Sequence, residues 1–331
     1  MTAPASPLSC LLCGSTDAPP FLDVPEGRFS SRIGAFSVLR CSACGLARMT
    51  PFPDADDLAE LYVEQGVFSA QRPNPNQGKV GFSTLEPLYS RYGAYYHFTA
   101  KSCVRSWRSG ERRGPPRILD VGCSTGRLLE AFEGIAPEAE LHGIDLDPRA
   151  RERAPARLQP RIRTGAIEDL AEEEPFDIIT LSFIIEHLLD FRPPLRQAVE
   201  LLAPGGLLFV STPDLGSAKA RQQGAGWRLI NDPTGPIGHV WWFDEDALRR
   251  LADSLGLSVE SIARRGELLF HLPRWMQRGL RRALGTTDSP SGERFIRNYQ
   301  LRMLWALTLD GVISEWAGYG DCMYGFFRKS D

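Results

Sequence analysis

The sequence lacks long apolar runs. No window of its 331 residues approaches the roughly 18 uncharged apolar residues that a membrane-spanning helix needs. The first ten residues, "MTAPASPLSC", have no basic segment followed by an apolar one, which a secretory leader would have. The composition, 43% hydrophobic and 24% charged, is that of a globular protein. We therefore expect a cytoplasmic protein without stable membrane insertion.

The sequence also lacks an excess of positive charge. Its formal net charge is -3, so no overall field attracts a polyanion. A local basic stretch, "RARERAPARLQPRIR" at residues 149–163, is typical of a solvated helix face. We expect a small-molecule partner and no nucleic acid.

Cysteine is scarce but patterned. Four of the seven cysteines form two C-x-x-C-G motifs, with Cys10 and Cys13 in the first and Cys41 and Cys44 in the second. An odd count with this spacing favours metal ligation in a reducing compartment over a disulfide framework. Four thiolates on two such loops suit tetrahedral Zn²⁺ in a closed, structural site. A rubredoxin-like iron site is the alternative, and four unrelated buried cysteines explain two matching motifs poorly.

Composition divides the chain into three parts. Residues 1–65 are rich in turns and carry both Cys pairs, which predicts a small zinc-ribbon-like module. Residues 66–110 hold a Pro- and Asn-rich linker followed by an amphipathic aromatic cap helix. Residues 111–331 form the larger domain, in which a helical insertion at about 272–318 precedes the last strand. We interpret the insertion as a cap or packing face, and a homodimer surface and a membrane-surface helix are the alternatives.

From residue 117 onward, strand and helix patterns alternate. The predicted strands are "RILDV", "ELHGIDL", "RIRTGA", "FDIITLS", "GLLFVSTP", "SVESIARRGELLF" and "DCMYGFFRK". Alternation of this kind predicts an α/β fold, with a parallel sheet covered by helices on both faces.

A turn of small residues, "DVGCSTG" at residues 120–126, follows the first of these strands and opens a helix. Small residues there let the backbone approach a ligand closely. A phosphate-binding loop is excluded, because no Lys-Ser/Thr pair follows the glycines. A dinucleotide fingerprint is excluded too, because Ser124 and Arg127 occupy its second and third glycine positions. An adenosine ligand without a pyrophosphate remains.

Several segments together resemble the class I S-adenosylmethionine-dependent methyltransferases. They are the 120–126 turn, "LHGIDLD", "TGAIEDL", "FDIITLSFIIEHLLD" and "LLAPGGLLFVSTPD". The resemblance is close over residues 117–214 and looser toward the C-terminus. It does not cover the Cys-rich module, although such ribbons accompany this fold in bacterial sugar, glycan and secondary-metabolite methyltransferases. The resemblance implies a Rossmann-like, seven-stranded methyltransferase sheet with helices on both faces, and S-adenosylmethionine as the cofactor.

The resemblance also implies a set of cofactor contacts. Asp145 is expected to accept hydrogen bonds from both ribose hydroxyls, and Leu146 to pack on the adenine. The backbone of Ala166 and Ile167 is expected to face the adenine. Ser124 stands where the family usually has Gly, and Ala166 where it often has Asp. The other residues assigned to the cofactor are Asp120, Gly122, Ser124, Gly126 and Ser182.

Glu186 and His187 directly follow the strand "FDIITLS" and its loop, at the edge where a doubly wound sheet opens its crevice. We expect His187 to be the base that takes the acceptor's proton, and Glu186 to orient it. A histidine that only packs is an equally weighted alternative, since alignment alone supplies much of the rate of a methyl transfer. His239 ranks next as an acceptor-side residue.

These observations predict a methyltransferase acting on oxygen, carbon or nitrogen of a sugar nucleotide, a glycan or a secondary metabolite. An RNA methyltransferase with a zinc module is the first alternative. The negative net charge opposes it, as does "SFIIEH" in place of an Asn/Asp-Pro-Pro-aromatic segment. The second alternative is a non-catalytic cofactor-binding subunit, which would transfer no label from labelled cofactor.

Overall fold

The computed structural model describes residues 9–61, 91–110, 114–170, 173–232, 236–265 and 320–330. Within them the chain forms a four-stranded sheet and a seven-stranded sheet. The strands are β1 Pro20–Val24, β2 Phe36–Arg40, β3 Ala47–Thr50, β4 Arg117–Val121, β5 Glu140–Asp145, β6 Ile162–Thr164, β7 Phe176–Ser182, β8 Leu202–Pro213, β9 Trp241–Trp242, β10 Leu257–Arg265 and β11 Cys322–Lys329.

The larger sheet has the strand order β10-β11-β8-β7-β4-β5-β6. Strands β4 to β8 are parallel, as the alternating pattern predicts. β11 runs antiparallel to both β8 and β10, so the parallel arrangement stops at β8. The predicted seven-stranded sheet is therefore confirmed, with two antiparallel strands at one edge. Its order reverses between β4 and β7, which places a crevice at the carboxyl ends of these strands.

The seven helices described are Ala55–Ala59, Arg91–Arg108, Arg127–Ile135, Pro148–Arg153, Arg192–Leu201, Ala218–Gln223 and Glu245–Ser254. The last begins after Asp244, an N-capping residue type that directly precedes a helical pattern in the sequence, and the Asp244 side chain accepts a hydrogen bond from the Ala247 amide. None of the helices in these ranges is both long and apolar enough to cross a bilayer. The aromatic cap helix is described from residue 91 onward, and the insertion at about 272–318 and the boundary at residue 65 lie outside the described residues.

Two hydrophobic cores cover the two faces of the larger sheet. Successive strand residues enter opposite cores, because side chains alternate across a strand. Ile118 packs in the core with Trp107 and Phe132, whereas Leu119 packs in the core with Phe191. This division confirms helices on both faces.

The smaller sheet is antiparallel and has the order β1-β2-β3-β9. Its first three strands come from the Cys-rich N-terminal segment, but β9 follows β8 of the larger sheet in sequence. Arg48 pairs with Trp241, and the Met49 amide donates a hydrogen bond to the Val240 carbonyl oxygen at 3.1 Å. The Cys-rich segment therefore shares its sheet with β9, from the C-terminal part of the chain, and it shares one continuous core with the larger sheet.

Candidate functional site

The turn after β4 has three residues with left-handed backbone: Gly122 at φ +69°, Ser124 at φ +47° and Gly126 at φ +79°. This conformation favours glycine, which explains why the family usually has Gly at the position of Ser124. A Cβ on Gly122 would lie 2.2 Å from Cδ1 of Ile184. The loop that follows β7 therefore packs directly on the turn, and only glycine permits that approach.

Asp145 ends β5 and is tied to this turn. One carboxylate oxygen accepts a hydrogen bond from the Ser124 amide at 2.8 Å, and the other accepts one from the Asp147 amide at 2.9 Å. Burial raises the pKa of the Asp145 carboxyl, and these two amides oppose the rise. Each oxygen keeps a second lone pair for a further donor. Beside it, Leu146 is 71% exposed, which is unusual for a large apolar side chain.

Asp120 lies beneath the turn and is only 3% exposed. Its carboxylate accepts a hydrogen bond of 2.7 Å from the Thr180 hydroxyl. Burial raises the pKa of Asp120 to about 7, although the Thr180 hydrogen bond lowers it. The sequence did not indicate Thr180, because its contact depends on the register that places it opposite Asp120 on the neighbouring strand.

Two further residues assigned to the cofactor lie at the edge beyond β6. The Ala166 amide donates to the Asp169 carboxylate at 2.8 Å, and the Ala166 carbonyl accepts from the Asp169 amide at 3.1 Å. The side chain of Ile167 points into the core and is 2% exposed. Their contact with an adenine stays a prediction.

Ser182, at the end of β7, is held by a residue that the sequence did not single out. The Tyr95 hydroxyl lies 2.5 Å from the Ser182 hydroxyl oxygen and 2.9 Å from that of Ser211 in β8. The Tyr95 ring also packs on Phe183, whose φ is +56°. Tyr95 thus joins the aromatic helix to the ends of two central strands, next to the turn that Ile184 contacts.

Glu186, His187 and His239 form one buried cluster at the carboxyl edge, exposed by 0%, 5% and 7%. Glu186 and His187 lie on a 3₁₀ turn after β7, and His239 comes shortly before β9. One potential ligand atom from each side chain lies within 4.8 Å of the others. The two imidazole rings meet edge to face, with centroids 4.6 Å apart. The structure therefore brings together the three residues that the sequence assigned to the acceptor side.

Backbone carbonyls orient both imidazoles. Nδ1 of His187 lies 2.9 Å from the Gly238 oxygen, and Nδ1 of His239 lies 2.9 Å from the Leu229 oxygen. A carbonyl oxygen only accepts, so each Nδ1 carries the proton and each Nε2 carries the lone pair.

Burial also sets the charges in the cluster. It lowers the pKa of His187 well below 6.5 and that of His239 to about 4, with the neighbouring His239 adding to the effect on His187. It raises the pKa of Glu186 to about 8. The Thr212 hydroxyl is close enough to Glu186 to oppose this rise, but the two do not meet the geometry of a hydrogen bond. Both imidazoles are therefore neutral at pH 7.

The four paired cysteines converge between the N-terminal loop and the end of β2. Sγ of Cys10 lies 3.4 Å from Sγ of Cys44, and Sγ of Cys13 lies 3.6 Å from Sγ of Cys41. All four sulfurs lie within 4.8 Å of one another. Tetrahedral Zn–S bonds of about 2.3 Å place sulfurs roughly 3.8 Å apart, so this donor set fits a tetrahedral metal. The hydrogen bond with Cys44 lowers the pKa of the Cys10 thiol to about 5.

Both cysteine loops turn through glycine. Gly14 and Gly45 have φ of +75° and +78°, and their amides donate to the carbonyls of Cys10 and Cys41. A Cβ on Gly45 would lie 2.8 Å from the Asp244 carboxylate. The second cysteine loop therefore packs against the cap of the Glu245–Ser254 helix.

Comparison with known proteins gives a family and a fold. The family model described as "Methyltransferase domain" matches residues 95–262. The ubiquinone biosynthesis O-methyltransferase of Xanthomonas campestris pv. campestris is 39% identical over 103 residues, which are 29% of this chain and 42% of that protein. The protein of the same name from Nitrosospira multiformis is 31% identical over 154 residues, 44% of this chain and 64% of the relative. The chain thus spans less than two thirds of these curated relatives.

Among solved structures, the plantazolicin methyltransferase BamL, in complex with a triazolic analogue and SAH, has a TM-score of 0.50 and 15% sequence identity. The match covers 82% of this chain and 94% of that one, and it supports the fold alone.

Proposed function

Since the chain belongs to the methyltransferase domain family, we propose that it transfers the methyl group of S-adenosylmethionine to a small-molecule acceptor. The observation that carries this proposal is the pairing of Asp145 with Leu146 beside the turn at residues 120–126. The carboxylate retains lone pairs for ribose hydroxyls, and the exposed leucine next to it offers an apolar face to an adenine. These residues fit the adenosine part of the cofactor.

The cofactor supplies an electrophilic methyl group on a sulfonium. The chain's own residues position the acceptor, and its site is at Glu186, His187 and His239, where the loop after β7 meets the turn through Ile184. The hydrogen bond between Tyr95 and Ser182 holds the start of that loop, and the loop sets the distance between the two substrates. The Gly238 carbonyl orients the His187 ring and puts its lone pair on Nε2, and we assign this nitrogen as the atom that accepts the acceptor's proton.

The acceptor is a hydroxyl of a secondary metabolite, a sugar nucleotide or a glycan, with carbon or nitrogen as the other acceptor atoms. One observation favours oxygen, because the matched relatives are named as O-methyltransferases. The net charge of -3 again opposes a nucleic-acid acceptor.

The Cys10, Cys13, Cys41 and Cys44 set holds a structural Zn²⁺, because four thiolates leave no coordination position for a substrate. None of the seven cysteines forms a disulfide in the described residues, which fits a reducing compartment, the cytoplasm. A homodimer stays a prediction, since the insertion that would form it lies outside the described residues.

Labelled S-adenosylmethionine tests the proposed function directly. The protein is incubated with the cofactor, carrying a labelled methyl group, and with a metabolite extract of its host. We expect label in a small molecule whose unlabelled form gains one CH₂ in mass. Calorimetry should show binding of SAH in the same preparation. Binding without transfer to any extract fraction would favour the non-catalytic subunit, and label in RNA would favour the RNA methyltransferase.

A further inference from the structure

Glu186 is an unusual carboxyl group. Its side chain is fully buried, and neither oxygen has a hydrogen-bond partner among the described residues. Buried polar groups in native proteins nearly always have a partner, because leaving one unpaired costs roughly 1–3 kcal/mol or more. A carboxyl in this state points to a ligand that completes the site.

We infer that Glu186, His187 and His239 bind one divalent cation beside the acceptor, an inference that rests on the proposed function and specifies how it activates the acceptor. Two imidazoles and one carboxylate, with ligand atoms mutually within 4.8 Å, form a donor set for a first-row divalent metal such as Zn²⁺, Fe²⁺, Co²⁺ or Mn²⁺. Ligand atoms around such a cation lie roughly 3–3.5 Å apart, so separations of at most 4.8 Å need only small side-chain movements to bind it.

The surroundings of both imidazoles support this inference. Each histidine donates from Nδ1 to a backbone carbonyl, that of Gly238 or Leu229. Metal-binding histidines have this arrangement, because the carbonyl fixes the tautomer that presents Nε2 to the cation. Three protein ligands fill three positions of a four- to six-coordinate cation, which leaves at least one position for the acceptor.

A cation here changes how the acceptor is activated. The acceptor's hydroxyl oxygen binds the cation, which lowers the hydroxyl's pKa, and its proton passes to water. A lone pair on that oxygen then forms the new C–O bond. The C–S bond breaks and its electron pair stays on the sulfur, so the products are the methyl ether and SAH. With the cation bound, His187 is a ligand, and water takes the place of the histidine base.

Cobalt binding tests the inference. The four-thiolate site is first saturated with Zn²⁺, weakly held metal is removed with EDTA and the EDTA by dialysis, and Co²⁺ alone is titrated into the full-length protein by calorimetry. We expect one Co²⁺ per chain, and at least tenfold weaker binding in Glu186→Gln and in His239→Gln. The matched control is His142→Gln, which lies outside the cluster and pairs with Glu140; its affinity should equal that of the parent. No binding by the parent, or unchanged affinity in both cluster variants, overturns the inference.

A measurement on the parent protein avoids variants that fail to fold. In protein labelled with ¹⁵N-histidine, paramagnetic Co²⁺ should shift or broaden the ring signals of His187 and His239 and leave those of His97 and His142 unchanged. Unaffected His187 and His239 signals at saturating Co²⁺ overturn the inference. SAH titration of the same samples separates the two proposals. SAH binding without Co²⁺ binding contradicts the cation site and leaves the proposed function standing. Co²⁺ binding without SAH binding contradicts the proposed function.

Discussion

The Val240 amide donates a hydrogen bond to the carbonyl oxygen of Glu186, with 2.8 Å between nitrogen and oxygen. The Val240 carbonyl oxygen in turn accepts a hydrogen bond from the Met49 amide in β3. Val240 therefore joins the 3₁₀ turn that carries Glu186 to β3 of the smaller sheet. The position of His239, directly before Val240, depends on both connections.

Asp145→Ala should weaken binding of both S-adenosylmethionine and SAH by about 10²–10⁴-fold. The substitution removes a charged acceptor of ribose hydrogen bonds, which are worth roughly 1.5–3 kcal/mol each. It also removes the acceptor for the Ser124 amide, so the turn itself loses a support. Isothermal calorimetry measures the affinities, and circular dichroism confirms that the variant is folded. A folded variant with the affinity of the parent would place the ribose elsewhere.

His187→Ala should reduce turnover by about 10²–10⁴-fold, the usual contribution of a positioned proton acceptor, while SAH affinity changes by less than a few-fold. Loss of His187 as a ligand of the inferred cation should also reduce turnover and spare SAH binding. His187 bonds to the Gly238 carbonyl and packs on His239, in the cluster that we propose as the acceptor site. Steady-state rates of label transfer, together with SAH calorimetry, make the comparison. His142→Ala is the control, since this histidine lies on β5 and pairs with Glu140. Parallel loss of stability, affinity and rate would assign His187 to packing alone.

Asp120→Asn should change the pH dependence of stability in the cofactor-free protein. The folded-state pKa of Asp120, about 7, lies above the value of 3.8 expected when unfolded, so its contribution is full below pH 4 and is lost as pH rises through 7. Asparagine cannot ionise and still accepts the Thr180 hydrogen bond. The parent should therefore lose up to a few kcal/mol relative to the variant between pH 5 and pH 8.

Urea unfolding at several pH values measures this difference in the free energy of unfolding. Thr180→Val is an informative companion, because it removes the hydrogen bond that lowers the Asp120 pKa and so extends the loss to higher pH. Identical pH profiles for the parent and Asp120→Asn would contradict the assigned pKa.

Cys41→Ser should reduce the thiolate-bound zinc from one ion per chain to none after dialysis, because one of four ligands is lost. Turnover should fall more than SAH affinity. β3 is hydrogen-bonded to Val240, which in turn is hydrogen-bonded to Glu186, whereas the turn at residues 120–126 follows β4 of the other sheet. Elemental analysis, label transfer and calorimetry supply the three measurements. Cys103→Ala, outside the four-cysteine cluster, should retain its zinc. Iron in the parent protein would replace zinc in this assignment.

The strands of the larger sheet were predictable because local pattern determines them. The bounds of β4 and β7 match the predicted "RILDV" and "FDIITLS" residue for residue, since continuous apolar and β-branched runs mark strands buried on both faces. The N-cap at Asp244 was predictable for the same reason, because its hydrogen bond lies within four residues.

Contacts that depend on tertiary pairing were not predictable. Nothing local in "HVWWF" indicates that Trp241 pairs with Arg48. Nothing in the aromatic helix distinguishes Tyr95 as the residue that bonds to the ends of β7 and β8. The acceptor-side residues were found one at a time, by their place at strand ends. That both histidines lie beside the Glu186 carboxyl, which has no hydrogen-bond partner among the described residues, is seen only in the folded structure.

The strand order of the smaller sheet has a consequence for synthesis on the ribosome. β1, β2 and β3 emerge before any strand of the larger sheet, but their fourth strand, β9, emerges only after β8. Until then, the nascent chain carries an open edge along β3, with unpaired backbone groups that attract other strands. All four paired cysteines precede β4, so they are synthesised well before the strand that covers that edge. We therefore expect a chain halted between β3 and β9 to expose an aggregation-prone strand edge, which chaperones of nascent chains would bind.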